Sequence, residues 1–272
     1  MTSYFSALGG HPPQTALMTQ RAAFTTAYAL IPAGTVRDIT ASFLPGWTAT
    51  RAWIIARPMT GFSETFCQYL MDVAPGGGSE APEPDPAAEG ALFVTQGGLG
   101  LTVEGAVHDL APGGFAWLPP SCRWTVTAPE GARFHWIRKA YEPAPGLPVP
   151  APVIARETEI PVAWMPGTQE RWGTTRFVDP ADLGHDMHVT IVTLKPGGLI
   201  PFEETHVMEH GLYVLSGKAV YKLNTDWVEV EAGDFMWLRA FCPQACYAAG
   251  PEDFRYLLYK DVNRHPRLTL GR

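Results

Sequence analysis

The chain has 272 residues, enough for one large domain or two of ordinary size, and 46% of them are hydrophobic, which suffices for a real core. Only 17% are charged and the net charge is −7, so the basic face that a nucleic-acid binder needs is missing. No apolar run approaches the ~20 residues of a membrane span, Met1–Arg21 lacks the basic and then apolar pattern of a secretory leader, and Cys67, Cys122, Cys242 and Cys246 read as reduced thiols of a cytoplasmic protein.

In chain order, residues 1–25 read as an N-terminal arm, 26–141 as a first domain, 142–152 as a linker and 153–272 as a second domain. With 27 glycines and 26 prolines the chain turns often, and short apolar runs between these breakers favour strands. APGGGSEAPEPDPAAEG, from Ala74 to Gly90, lacks periodicity and reads as a loop. EPAPGLPVPAP, from Glu142 to Pro152, has a proline at nearly every second or third position and reads as an extended linker. A short helical turn is expected between Pro180 and Asp186. Strands rich in β-branched and aromatic residues then follow: HVTIVTLK (188–195), LYVLS (212–216), AVYKL (219–223), WVEV (227–230), FMWL (235–238) and FRYLLYK (254–260). Asp261, Asn263 and Arg264 are expected to brace the end of the last strand or a subunit contact. Many short strands at close spacing point to an all-β sandwich or barrel, with jelly rolls among the options.

The two domains repeat one another. Residues 89–125 align with 209–245 at a constant offset of 120: Glu89 with Glu209, Leu92 with Leu212, Gly97 with Gly217, Gly113 with Gly233, Phe115 with Phe235, Trp117 with Trp237 and Cys122 with Cys242. A unit this long means two similar domains rather than a solenoid.

The second copy carries chemistry that the first lacks. Glu204 and His206 are two apart, so on a strand they share a face, and His210 can fold back beside them. A carboxylate and two imidazoles suit Mn, Fe, Ni or Zn, although two histidines and a glutamate also occur in ordinary polar loops. At the constant offset His210 falls on Gly90 and Gln244 on Trp124, while Glu204 and His206 fall on Pro84 and Pro86, or on Glu83 and Asp85 after a one-residue shift. The hydrophobic frame repeats and the ligand-type residues do not, which indicates one working site and one degenerate partner. Phe254, Tyr256, Leu258 and Lys260 share one strand face by period 2. A lysine on a barrel-lining face needs an anion, whereas a strand-end lysine in solvent does not. Tyr221 matches Leu101, so the fold does not need its hydroxyl. His188 opens a strand and reads as structural or as a support for the site.

The spacing Gly198-x5-Glu204-x-His206-x3-His210-x6-Gly217 resembles the first cupin motif, with Glu204 for its usual first His and His210 for its usual Glu. Gly233-x5-Arg239-x-Phe241-x2-Gln244 resembles the second motif, with Arg239, Phe241 and Gln244 replacing the usual Pro, Gly and His. The resemblance implies a bicupin, two tandem β-barrel or jelly-roll cupin domains, the first degenerate and the second active. With YLLYKDVNR near the C-terminus, these departures closely resemble the (S)-ureidoglycine aminohydrolases of purine and allantoin breakdown. That resemblance implies a Mn²⁺ hydrolase that converts (S)-ureidoglycine to (S)-ureidoglycolate and ammonia. It also implies metal ligands at Glu204, His206, His210 and Gln244, and substrate-site or catalytic roles for Glu204, Tyr221, Tyr256 and Lys260. The partner is then a small molecule with a carboxylate, bound by a homo-oligomer, with no nucleic acid and no membrane. Ligand chemistry alone is also compatible with other divalent metals. The alternatives are another metal-dependent bicupin acting on small acids, such as a dioxygenase or decarboxylase, or a metabolite-binding cupin without catalysis.

Overall fold

A computed structural model describes residues 21–37, 40–261 and 264–265. Most of the expected N-terminal arm, residues 1–20, and Asn263 lie outside these described residues. The first half contains β1 Ala23–Phe24, β2 Tyr28–Ile31, β3 Thr48–Ala56, β4 Cys67–Ser79, β5 Ala88–Gly97, β6 Leu99–Val103, β7 Ala106–Leu110, β8 Gly114–Leu118, β9 Trp124–Ala128 and β10 Ala132–Ala140. After the proline-rich linker come β11 Val153–Arg156, β12 Ala163–Trp164, β13 Trp172–Arg176, β14 His188–Leu194, β15 Leu199–Glu204, β16 His210–Ser216, β17 Lys218–Leu223, β18 Asp226–Glu231, β19 Phe235–Leu238, β20 Gln244–Ala248 and β21 Phe254–Lys260. Among the described residues no helix is long and apolar enough to cross a membrane.

The fold is all-β, and its pairings repeat as the 120-residue offset requires. β5 pairs with β10 and β8, and β6 with β7 and β9; β16 pairs with β21 and β19, and β17 with β18 and β20. The backbone at the shared glycines repeats too. Gly97 and Gly217 have φ of +72° and +76°, and a Cβ there would meet the carbonyl oxygens of Gly131 and Asp253 at 2.2 and 2.6 Å. Only glycine fits both the conformation and the space.

Two expectations need correction. The segment 74–90 is not one loop. β4 continues to Ser79 and β5 begins at Ala88, because Gly77, Gly78 and Ser79 pair with Ala128, Thr127 and Val126 of β9. Between Pro180 and Asp186 there is no helix but a run of turns. The side chains of Asp179 and Asp182 accept the amides of Ala181 and Gly184 at 2.9 and 2.8 Å, which offers the backbone an alternative to helical bonds.

The halves are stitched together by exchanged strands. β2 hydrogen-bonds to β19 of the second half, with Tyr28 opposite Leu238 and Ile31 opposite Phe235. β11 does the converse, with Val153 opposite Trp117 and Arg156 opposite Gly114 on β8. Each lead-in strand thus covers the edge of the other half's sheet. Side-chain alternation then builds three cores. On β21, Phe254, Tyr256 and Leu258 enter the second barrel, while Leu257 and Tyr259 join a central cluster between the halves with Trp53, Phe66, Phe93, Trp117 and Trp237. On β10, Phe134 and Trp136 fill the first barrel.

Candidate metal and substrate site in the C-terminal barrel

Three neighbouring strands set one wall of the site. His188 of β14 and His210 of β16 both lie opposite Lys260 of β21, so the three form a row across the sheet. The facing sheet supplies Glu204, the last residue of β15, which is in register with Gln244, the first of β20. His206 follows in the loop after β15 rather than on the strand. A cavity of about 380 Å³ is lined by Glu204, His206, His210, Gln244, Tyr256 and Lys260 together with Arg176, His188 and Asp261. Tyr221 stands behind that wall. Its hydroxyl donates to Gln244 Oε1 at 3.2 Å and lies 3.3 Å from the Tyr256 hydroxyl.

Glu204 Oε1 lies 3.5 Å from His206 Nε2, and the His206 and His210 rings are 5.0 Å apart between centroids. His210 lines the cavity, and its Nε2 is buried without a hydrogen-bond partner. A buried, unpaired polar nitrogen is costly unless something binds it. Among the described residues, no three His, Cys, Asp or Glu side chains cluster tightly enough to form a ligating group by themselves. The orphaned nitrogen and the mixed carboxylate, imidazole and amide donors nevertheless fit a divalent metal such as Mn, Fe, Ni or Zn.

Burial dominates the electrostatics. It holds the His210 imidazole well below its ordinary pKa, with the charge of Lys260 adding to the effect, and it pulls His188 down to about 4. It also pulls the Lys260 ammonium below the usual lysine range, which Glu204 opposes. The phenols of Tyr221 and Tyr256 are pushed well above theirs. Asp261 accepts the Glu209 amide at 2.7 Å, which braces the end of β21, and Arg264 donates to the Glu142 carbonyl of the linker at 2.8 Å.

The matching positions of the first barrel carry other residues around a smaller cavity of about 190 Å³, lined by Glu83, Gly90 and Trp124. Gly90 lies opposite Arg138, as His210 lies opposite Lys260. Arg138 donates to Glu83 and to the Tyr69 hydroxyl, and its guanidinium lies 4.9 Å from the Trp136 ring centroid. Trp124 stands at the Gln244 position and meets Trp136 edge-on at 5.7 Å. The constant offset does not point to Trp136, because the register here places it opposite Leu92 as Leu258 lies opposite Leu212, a spacing of 122. It likewise overlooks Arg176. The period-2 pattern of Trp172, Thr174 and Arg176 was the available signal.

A model of the cupin domain matches residues 190–259. The chain is 32% identical over 240 residues to the (S)-ureidoglycine aminohydrolase of Escherichia coli, covering 86% of this chain and 88% of that protein. It is 31% identical to the (S)-ureidoglycine aminohydrolase of Arabidopsis thaliana, covering 82% and 72%. A structural-genomics target from Pseudomonas aeruginosa, 60% identical, superposes with a TM-score of 0.91 over 100% of both chains. Oxalate decarboxylase of Bacillus subtilis, at 14% identity and a TM-score of 0.61 over 83% of this chain and 76% of that one, shares the fold alone. The chain therefore belongs to the (S)-ureidoglycine aminohydrolase family of bicupins.

Proposed function

We propose that this chain hydrolyses (S)-ureidoglycine to (S)-ureidoglycolate and ammonia, as a Mn²⁺ enzyme of purine and allantoin breakdown. The observation that carries the reading is an asymmetry between equivalent places. Glu204, His206, His210, Gln244, Tyr256 and Lys260 line one cavity in the second barrel. In the first, Gly90, Trp124 and an Arg138–Glu83 ion pair stand at the corresponding positions. Family membership supplies the substrate.

Ureidoglycine is an aminal whose central carbon bears an amine, a ureido nitrogen and a carboxylate. Glu204, His206, His210 and Gln244 would hold the ion, which when bound supplies Lewis acidity and a template for substrate heteroatoms. The Lys260 ammonium, partly buried in the cavity wall and in no ion pair among the described residues, pairs with the substrate carboxylate. Loss of the amine consumes a proton and addition of water releases one. Tyr256 lines the cavity, and its burial keeps the proton on the hydroxyl. Tyr221, itself bonded to Gln244, fixes that hydroxyl's direction from behind. Glu204 and Tyr256 are the groups that hold and take up those protons.

The test is an ammonia-release assay with freshly generated ureidoglycine. Chelation should abolish release and Mn²⁺ should restore it, with no oxygen consumed. A Mn²⁺-loaded protein that releases no ammonia overturns the reading, and oxygen uptake would move the chain to oxygenase chemistry.

A further inference from the structure

The cavity holds more polar groups than the reaction above employs. Arg176 ends β13 and lies opposite Thr190 of β14, while His188 lies opposite Lys260, so Arg176, Thr190, His188 and Lys260 share the cavity-facing side of one sheet. Arg176 is largely exposed at the cavity wall. Its Nε donates to Thr174 Oγ1 at 2.9 Å, and its guanidinium is in no ion pair among the described residues. The His188 ring, held neutral by burial, can accept a hydrogen bond.

The first barrel provides an internal control. Ile54 lies opposite Tyr69 as Arg176 lies opposite Thr190, and Cys67 lies opposite Arg138 as His188 lies opposite Lys260. The frame therefore tolerates an aliphatic residue at the Arg176 position and a thiol at the His188 position. The guanidinium and the imidazole occur only in the barrel with the ligand-type residues, the same asymmetry that singled out Glu204, His206, His210 and Gln244.

We infer that Arg176 and His188 bind the ureido end of the substrate and make the site selective for N-carbamoyl acids. This rests on the reading of the cavity as a ureidoglycine site. Lys260 takes the carboxylate, leaving a neutral urea group with a carbonyl acceptor and N–H donors. The free guanidinium N–H groups of Arg176 suit the carbonyl, and the His188 imidazole suits an N–H.

Calorimetric titration of the Mn²⁺-loaded protein with N-carbamoylglycine and with glycolate tests this. N-carbamoylglycine has the ureido group and carboxylate but no leaving amine; glycolate lacks the ureido group. The native protein should bind N-carbamoylglycine more tightly. Arg176→Met and His188→Ala should each weaken that binding by roughly tenfold or more, while glycolate affinity and metal content stay within about threefold. Equal losses for both ligands would make Arg176 and His188 general anion attractors and overturn the inference. So would unchanged binding of N-carbamoylglycine, or no preference for it in the native protein. If the native protein prefers N-carbamoylglycine yet releases no ammonia from ureidoglycine, the reaction is wrong and the ureido site stands.

Discussion

Glu209 accepts the indole N–H of Trp237 at 2.5 Å, and the same pair recurs 120 residues earlier, where Glu89 accepts the indole N–H of Trp117 at 2.8 Å. Each glutamate also stands at the junction with the opposite half, Glu209 directly and Glu89 through Lys139. Glu209 accepts the Glu64 and Thr65 amides at 2.9 and 3.0 Å and the Thr65 hydroxyl at 2.6 Å. Beside Glu89 the crossing runs through Lys139, whose Nζ lies 3.9 Å from Glu89 Oε1 and donates to Asp186 of the second half at 2.6 Å. A paired frame residue has become the bolt between the barrels. Glu209 immediately precedes His210, so this brace also fixes the start of β16.

Glu209→Ala should therefore destabilise the fold strongly. It strips the acceptor from an indole, a hydroxyl and two amides near the inter-barrel core, and each buried unpaired donor costs roughly 1–3 kcal/mol. A loss of about 3 kcal/mol or more in urea unfolding is expected. An unchanged midpoint would mean that water replaces the carboxylate without cost.

The first barrel should resist conversion into a second site. A Cβ on Gly90 would stand 3.1 Å from Trp136 Nε1, at the wall of the small cavity between Gly90 and Trp124. Gly90→His should therefore cost about 1–3 kcal/mol through overpacking and leave the metal content per chain unchanged by elemental analysis. A gain of one metal equivalent would show that the Trp136 plug yields.

The repeat, the strands and the cavity face of β21 could be read from the sequence because each depends on local spacing: Gly97 with Gly217, Trp117 with Trp237, and Tyr256 and Lys260 four apart. What could not be read depends on partners distant in sequence. Nothing in Tyr28–Ile31 or Val153–Arg156 says which half's sheet will take it, since any apolar strand satisfies an edge. The Arg138–Glu83 pair and the Trp136 plug were hidden for another reason. A fixed 120-residue offset fails on β10, where the spacing to β21 is 122 and Arg138, not Ala140, takes the place of Lys260.

Acid should unfold the protein partly through His135. Its ring is buried in the structure, against Tyr213 at 4.2 Å and near Gln68, and burial pulls its pKa down to about 3. The unfolded chain binds the proton near pH 6.5 and the folded chain does not until about pH 3. The neutral ring's contribution is thus fully present above pH 6.5 and is lost as pH falls toward 3, by up to roughly 4 kcal/mol. Unfolding free energies between pH 4 and 7 should fall less steeply with acid in His135→Phe than in the native chain. Parallel slopes would assign acid sensitivity to other groups.

Lys260 should be needed for turnover and not for folding. Its ammonium lies in a row with His188 and His210 and lines the cavity. Burial pulls its pKa below the usual range while Glu204 opposes that shift, so the free protein bears a desolvated cation that a substrate carboxylate would satisfy. Truncating one partner of such a pair costs roughly 2–5 kcal/mol. Lys260→Met should then cut turnover on ureidoglycine by about two to three orders of magnitude while metal content stays unchanged. Because the substitution removes an unfavourably buried charge, the unfolding midpoint should hold or rise. Lys260→Arg should not rescue fully, since a planar guanidinium is bulkier and places its charge differently. Steady-state kinetics, elemental analysis and urea unfolding on both variants read the three effects separately. Near-normal turnover in Lys260→Met would remove the lysine from the substrate site, and a large loss of stability would make its role structural instead.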